Sequence, residues 1–163
     1  MNRIYQERVF SGLLAILPGG FGLALLVAFI YGKFFRTFED QSSVWYFLGT
    51  SLVLLLVAIN FSLLNITVSD EGVTTRFGII SHRVPLTNIA GSYQDKASSV
   101  SYGGFGIRWG WVNGKRRLVY DVTDAPRVVI RQKQNYNREF VFSTRNPDAV
   151  IKAIRSVAGQ GVK

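Results

Sequence analysis

The chain opens with two long apolar runs and then changes to short segments of alternating polarity. Residues 10–31 contain no charged side chain, and neither do residues 44–64. A helix needs about 20 apolar residues to cross the hydrocarbon core of a bilayer, and both runs have that length. A helix of a small soluble domain does not need apolar residues on every face. We therefore predict a transmembrane hairpin over residues 10–64, with helices over 10–31 and 44–64.

The first apolar run is rich in small residues. It contains Pro18 and four glycines, which are Gly12, Gly19, Gly20 and Gly22. Small residues let a second helix approach closely, and we favour packing of the two predicted helices on each other over an interface with a partner. A cleaved signal peptide is the alternative interpretation of this run. We expect the run to be retained, because it is long and no A-x-A cleavage site follows it.

The second apolar run begins with an aromatic pair, Trp45 and Tyr46. Tryptophan and tyrosine are enriched where a helix meets the membrane surface, so we predict a membrane-interface role for both. Asn60 is the one strongly polar residue of this run. We expect it near the lipid headgroups rather than bonded to the first helix, because it lies close to the end of the run.

Charge predicts the orientation of the hairpin. Residues 1–9 contain two arginines and one glutamate, and the loop over residues 32–43 contains two basic and two acidic residues. Residues 68–163 contain 15 Lys+Arg and 7 Asp+Glu, and the whole chain has a formal net charge of +9. The positive-inside rule then places both termini and the C-terminal domain in the cytoplasm, with residues 1–9 as a cytoplasmic N-terminus.

Residues 65–163 are predicted to form roughly six or seven short strands followed by one helix. The strongest hairpin signal is Asn113-Gly114, which accepts the positive φ angles of a type I′ turn. Asn146 can cap a helix, and apolar residues recur at helical spacing after it, which predicts a helix over residues 147–158. No linker separates the second apolar run from these strands, so we expect the domain to lie against the membrane surface.

Three stretches then carry a family resemblance. The first stretch, residues 73–89, combines a strand, a glycine turn and a basic-aliphatic-Pro-Leu segment. The second, residues 102–108, is Tyr-Gly-Gly-Phe-Gly-Ile-Arg. The third, residues 128–148, contains two strands and the Asn-Pro-Asp start of a helix. In this order they resemble a bacterial pleckstrin-homology-like domain, a group in which a preceding membrane hairpin is familiar. The resemblance implies a bent seven-stranded barrel or sandwich closed by a C-terminal helix, in the cytoplasmic (inner) membrane of a bacterium. It assigns no role to any residue.

Basic residues cluster at two predicted hairpins and have aromatic residues beside them. The candidates for lipid or partner binding are Lys115, Arg116, Arg117, Trp109, Trp111, Arg131, Lys133 and Arg138. Each basic residue near an anionic bilayer contributes about 1 kcal/mol of attraction. The alternative is that the charges are ordinary solvated turns and that both tryptophans are core residues. Nucleic-acid binding is not favoured, because a domain tethered to a membrane explains the basicity more simply.

Motifs for catalysis are absent from the sequence. The chain has no cysteine and a single histidine, His82, so a zinc site would need an unusual set of ligands. Gly104-Phe105-Gly106 lacks the third glycine and the helix of a dinucleotide-binding motif. We predict neither an enzyme nor a cofactor nor a metal site.

The leading functional prediction is a non-catalytic interaction module, anchored in the membrane, that acts as an accessory or assembly subunit of a larger membrane protein complex. Its predicted partners are membrane lipids and other membrane protein subunits, without nucleic acid. The alternative is a module that binds anionic lipid or a small ligand at the membrane surface.

Overall fold

The computed structural model of the chain describes residues 3–35, 44–97 and 102–160. It has the predicted α+β composition, with two apolar helices ahead of most of the strands. The elements are β1 (Arg3–Phe10), α1 (Gly12–Phe35), α2 (Val44–Phe61), β2 (Leu63–Ser69), β3 (Gly72–Phe77), β4 (Ile80–Pro85), a 3-10 turn (Leu86–Asn88), β5 (Ile89–Gln94), β6 (Gly106–Val112), β7 (Lys115–Asp121), β8 (Arg127–Gln132), β9 (Arg138–Ser143) and α3 (Pro147–Gln160).

The two apolar helices are long and apolar enough to cross a membrane, and most of their side chains face outward. Their bounds differ from the predicted ones: α1 begins at Gly12 instead of residue 10, and α2 ends at Phe61 instead of residue 64. The reason is that Phe10 and Leu63 pair with each other as strand residues. An apolar residue at the end of such a run suits a strand as well as a helix, so hydrophobicity alone misplaces both boundaries.

The N-terminal segment is part of the β domain, which corrects the prediction of a separate terminus over residues 1–9. β1 runs antiparallel to β2, from the Arg3–Ser69 pair to the Phe10–Leu63 pair. The α1–α2 hairpin is therefore inserted between two neighbouring strands of one sheet, so both of its ends emerge on the same side. The described residues form nine strands, and eight of them, β2 to β9, lie in the part of the chain predicted to form six or seven. β1 escapes sequence analysis because Glu7 interrupts its apolar face.

The strands form two sheets. The first has the order β1-β2-β3-β4, and the second has the order β5-β8-β9-β7-β6. Both predicted hairpins of the second sheet, β6–β7 and β8–β9, are present, and they join through a parallel pairing of β7 with β9. The β6–β7 turn has φ angles of 53° at Asn113 and 75° at Gly114, as its Asn-Gly sequence predicts.

One hydrophobic core lies between the two sheets and is closed by α3. Period-two alternation brings Ile66 from the first sheet and Phe140 from the second into this core, and Ile154 of α3 covers it. All three side chains are almost fully buried, and burial of a side chain of this size contributes about 1.5–3 kcal/mol each. The predicted helix over residues 147–158 is confirmed, with two further residues at its C-terminal end.

The helical hairpin is joined to the first sheet by very short connections. Single residues, Ser11 and Ser62, connect the helices to β1 and β2, and the Ser11 amide donates to the Ser62 carbonyl at 2.8 Å. The Asn60 side chain accepts a hydrogen bond from the amide of Ile79 at 2.9 Å. Asn60 therefore holds the β3–β4 turn against the end of α2, where we had expected it only to lie near headgroups. The turn needs Gly78, whose φ is +46°.

The two apolar helices pack on each other through small residues, as favoured above. A Cβ at Gly22 would lie 3.0 Å from Leu55 Cγ, and the Ser51 hydroxyl donates to the Gly22 carbonyl at 2.7 Å. A Cβ at Gly19 would contact Ala58 at 3.5 Å, whereas one at Gly20 would meet nothing within 4 Å. Gly22 and Gly19 thus face α2, and Gly20 faces outward.

This packing predicts different effects for two neighbouring glycine substitutions. Gly22→Val should destabilise the protein by about 1–3 kcal/mol, because the added methyl groups force α1 away from Leu55 and Ser51. Gly20→Val is the matched control, since it makes the same change in helix propensity in open space. Thermal unfolding of both variants in a mild detergent measures the difference. Equal transition temperatures would contradict the observed helix contact.

Candidate interaction surfaces

The second sheet carries a buried cluster of charges on the face that points away from the main core. Along β7, Arg117 and Asp121 alternate with Leu118 and Tyr120, which face the main core. The cluster contains three basic and three acidic side chains, which are Lys115, Arg117, Arg127, Asp95, Asp121 and Glu139. Its charges balance, so it is a structural feature of the domain rather than an exposed basic patch.

Arg117 is the centre of this cluster. Its Nε and Nη2 atoms lie 2.8 and 2.7 Å from Glu139 Oε2, and its Nη1 atom lies 3.4 Å from Asp95 Oδ1. Arg117 also donates to the hydroxyls of Tyr93 and Tyr102. Burial opposes its charge, but the hydrogen bond to Tyr102 and the charge of Glu139 outweigh burial and raise the pKa of Arg117. Arg117 is thus fully engaged inside the protein and is not available as the predicted surface site.

The neighbours of Arg117 complete the network. Lys115 Nζ lies 2.9 Å from Glu139 Oε1. Burial alone would raise the pKa of Glu139, but Lys115 and Arg117 lower it below its ordinary value. On the other side, Arg127 donates to Asp121 at 3.0 Å. Sequence analysis treated the Lys-Arg-Arg run as one patch, whereas strand alternation and these acidic partners divide it.

The predicted basic hairpins lie at the end of the domain far from α1 and α2. β6 begins beside α1, since a Cβ at Gly106 would lie 3.8 Å from Leu14. The β7–β8 turn over residues 123–126 lines a cleft with the first turns of α1. A strand rises about 3.3 Å per residue, so the Asn113-Gly114 turn lies roughly 20 Å from this end. The β8–β9 turn lies at the same distant end, because β9 runs parallel to β7.

Four of the predicted site residues come together on one face near that distant end. Trp111 pairs with Arg116 across β6 and β7, and Arg116 pairs with Arg138 across β7 and β9. The Arg116 guanidinium lies 4.4 Å from the centroid of the Trp109 ring. Trp109 is 52% exposed and Trp111 is 71% exposed, so neither is the core residue that the alternative interpretation required. We call these four residues the tryptophan strip.

The remaining predicted site residues lie elsewhere. Arg131 stacks over Tyr93 at 5.7 Å on the opposite face of the second sheet, and Lys133 is exposed beside the β8–β9 turn. Trp45 and Tyr46 lie at the end of the helical hairpin that is remote from the sheets. Trp45 contacts Lys33, whose ammonium lies 5.2 Å from the ring centroid, and Tyr46 is 77% exposed.

His82, on which an enzymatic interpretation would depend, lies among aromatic rings. Its ring centroid is 4.6 Å from that of Phe140 and 6.4 Å from that of Tyr120. Burial lowers the pKa of His82 below its ordinary value. Within residues 3–35, 44–97 and 102–160, no three histidine or acidic side chains form a group that could hold a metal ion.

Sequence analysis missed a basic surface on the outer face of the first sheet. Arg3, Arg8 and Arg76 line a groove there, on the side that points away from the core. Arg76 alternates with the buried residues Thr75 and Phe77, so period-two spacing contained the signal for this residue. In the sequence, Arg3 and Arg8 were used only in the charge count that predicts membrane orientation, because β1 was not recognised as a strand.

Comparison of the chain with protein-family models, curated proteins and solved structures finds no match. The resemblance to a pleckstrin-homology-like domain therefore stays a prediction.

The buried cluster predicts that adjacent arginines differ sharply in their effect on stability. Arg117→Gln should reduce the free energy of unfolding by about 3–5 kcal/mol, because it leaves Glu139 and Asp95 without their buried cation. Arg116→Gln removes the same charge from a half-buried position, where the guanidinium stacks on Trp109, and should cost about 1 kcal/mol or less. Urea unfolding followed by circular dichroism measures both. Comparable losses would show that Arg117 is not the centre of the cluster.

Burial of His82 predicts that acid destabilises the protein through this residue. The pKa of His82 is lower in the folded state than in the unfolded state, so the unfolded state binds the proton more tightly. The stabilisation is present above the unfolded pKa of about 6.5 and is lost as the pH falls through the folded pKa. Transition temperatures measured at about pH 7.5 and about pH 5.5 should differ less in His82→Phe than in the parent protein. An identical pH dependence in the two proteins would refute this.

Proposed function

We propose that the chain is a non-catalytic interaction module, anchored in the cytoplasmic membrane of a bacterium, that acts as an accessory or assembly subunit of a larger membrane protein complex. In this proposal α1 and α2 cross the bilayer, and the two sheets with α3 form a pleckstrin-homology-like domain on the cytoplasmic side. The length and outward-facing apolar side chains of both helices support the anchor. The excess of basic residues in the β domain supports its cytoplasmic location.

The tryptophan strip is the observation on which the proposed partner-binding role rests. β6 is an edge strand of its sheet, and an edge strand presents backbone groups on which another chain can add a strand. Tryptophan and arginine are the residues most enriched among those that dominate binding energy at interfaces. An edge strand with Trp109 and Trp111 exposed, and with Arg116 stacked on Trp109, thus combines both recognition modes.

The height of the strip above the helices favours a protein partner over lipid at this surface. Trp109 lies two residues beyond Ile107, which lines a pocket with α1 and α2, so it is about 7 Å along β6 from that end, and Trp111 lies farther still. With β6 directed away from the bilayer, the charges of the β6–β7 and β8–β9 turns would lie more than a Debye length of about 8–10 Å from its surface. The alternative of lipid binding through Lys115, Arg116 and Arg117 is therefore not favoured, and a segment of a neighbouring membrane protein suits this height.

A test of the tryptophan strip as a partner-binding site requires the full-length protein. Residues 65–163 alone would lack β1 and the first two residues of β2. With β1 they would lose Glu7, which accepts a hydrogen bond from the Arg145 amide at 2.8 Å beside the start of α3. A photoreactive benzoylphenylalanine at position 111 should therefore be placed in the full-length chain and expressed in the native host. The matched control is the same residue at Tyr136, which is 83% exposed on the β8–β9 turn.

We expect irradiation to give one discrete cross-linked product with a membrane protein at position 111 and at most diffuse products at position 136. Trp109→Ser together with Trp111→Ser should reduce co-isolation of that same protein by at least about tenfold. A tenfold loss of affinity corresponds to roughly 1.4 kcal/mol, and a tryptophan that dominates an interface contributes at least this much. Diffuse products at both positions, or co-isolation that survives the double substitution, would refute the strip as the partner site.

A further inference from the structure

The outer face of the first sheet carries a row of polar side chains across three neighbouring strands. Arg8 of β1 pairs with Asn65 of β2, and Asn65 pairs with Arg76 of β3. Side chains of directly paired residues point to the same face of a sheet, so all three project outward together. Neighbouring strands are about 4.8 Å apart, which places the two arginine backbones roughly 10 Å from each other with an amide side chain between them.

These side chains line an open groove with a volume of about 480 Å³. The lining contains Arg3, Arg8 and Arg76 together with neutral polar residues, and it contains no acidic side chain. Arg3 donates to Gln6 at 3.2 Å, and Arg76 donates to the Gly78 carbonyl. Among the residues that the structure describes, none of the three arginines forms an ion pair, in contrast to Arg117 and Arg127 of the buried cluster. The groove therefore concentrates positive charge that the protein itself does not neutralise.

The part of the groove that Arg8 and Arg76 line lies at the end of the domain where the helices leave it, whereas Arg3 lies at the other end of β1. Arg8 is four residues before the start of α1 at Gly12. Arg76 is two residues before Gly78, where an added Cβ would lie 2.8 Å from the Asn60 carbonyl in the last turn of α2. If α1 and α2 span a bilayer, this is the level of the lipid headgroups. Arg116 and Arg138 carry the same charge at the opposite end of the domain.

We propose that this groove binds the phosphate group of an anionic phospholipid from the bilayer in which α1 and α2 are inserted. Guanidinium groups bind phosphate oxygens through paired hydrogen bonds, and Arg8 and Arg76 approach the groove from two sides. Asn65, which lies between them on β2, and Thr74, which lies beside Arg76 on β3, supply neutral donors. The inference rests on the membrane insertion proposed above, but it is independent of the tryptophan strip.

Such a site would use lipid to hold the domain against the cytoplasmic leaflet, where anionic lipids attract basic segments next to the membrane. The domain is already joined to both helices through Ser11 and Ser62. A bound headgroup on the β1–β3 face would add a third point of attachment, to one side of the helices. It would favour one orientation of the domain and hence one direction for the tryptophan strip.

The test is native mass spectrometry of the full-length protein in a mild detergent, titrated with phosphatidylglycerol or with phosphatidylcholine. Arg8→Gln combined with Arg76→Gln should weaken phosphatidylglycerol binding by roughly 30-fold, given the usual contribution of each basic residue near anionic lipid. Arg131→Gln combined with Lys133→Gln removes the same charge beside the β8–β9 turn at the distant end and should leave binding unchanged. Phosphatidylcholine should bind more weakly than phosphatidylglycerol and respond little to either pair of substitutions.

Two outcomes of the lipid titration would overturn the proposal. One is that phosphatidylglycerol binds the Arg8/Arg76 double variant as tightly as the parent protein. The other is that inorganic phosphate at millimolar concentration displaces the lipid, which would make this a site for a soluble anion. If the double variant is unstable, Arg8→Gln alone should still weaken binding roughly fivefold, since the Arg8 side chain is exposed. Release of the protein from native membranes by alkaline carbonate would instead refute the membrane anchor, and with it both proposals.

Discussion

The antiparallel pairing of β1 with β2 is the constraint on which the rest of the structure depends. It brings the residues on either side of the helical hairpin into one ladder, which the Ser11–Ser62 hydrogen bond continues to the first turn of α1. The hairpin is therefore a long insertion into a β-sheet, and the sheet cannot move independently of the helices. The bond from the Ile79 amide to Asn60 adds a second connection, between α2 and the β3–β4 turn.

Because the helices are joined to the first sheet at one end only, the β domain has one end near the helices and one end far from them. Near the helices lie the outer groove with Arg8 and Arg76 and the turn between β7 and β8. Far from them lie the Asn113-Gly114 turn and the tryptophan strip. Between the ends, the charges of Arg117 and its partners are buried and balanced, so removing one of them would leave an unpaired buried charge, and they contribute to neither surface. The distribution of exposed charge, rather than the total of +9, distinguishes the groove that we propose binds lipid from the strip that we propose binds protein.

Turns and helices that depend on a short stretch of sequence were predicted from that stretch alone. Asn113-Gly114 predicted the β6–β7 turn because few other residue pairs adopt two positive φ angles in succession. Helical spacing after Asn146 predicted α3 because its apolar stripe matches 3.6 residues per turn. By contrast, the strand at the N-terminus was missed because its stability comes from β2, which is more than 50 residues away in the chain, and from Glu7 bonding at the start of α3.

The sequence by itself determined the two apolar helices, the α+β composition and the strand hairpins, because each follows from the composition or periodicity of a short segment. Only the tertiary structure decided which charges are exposed. Lys115, Arg116 and Arg117 are consecutive, yet alternation and the acidic partner Glu139 bury one of them, while Arg116 stacks on Trp109 at the surface. Likewise, Arg8 and Arg76 lie far apart in sequence and share a groove only because strand register aligns both with Asn65. Register is set by pairing between distant segments, and a single segment does not contain it.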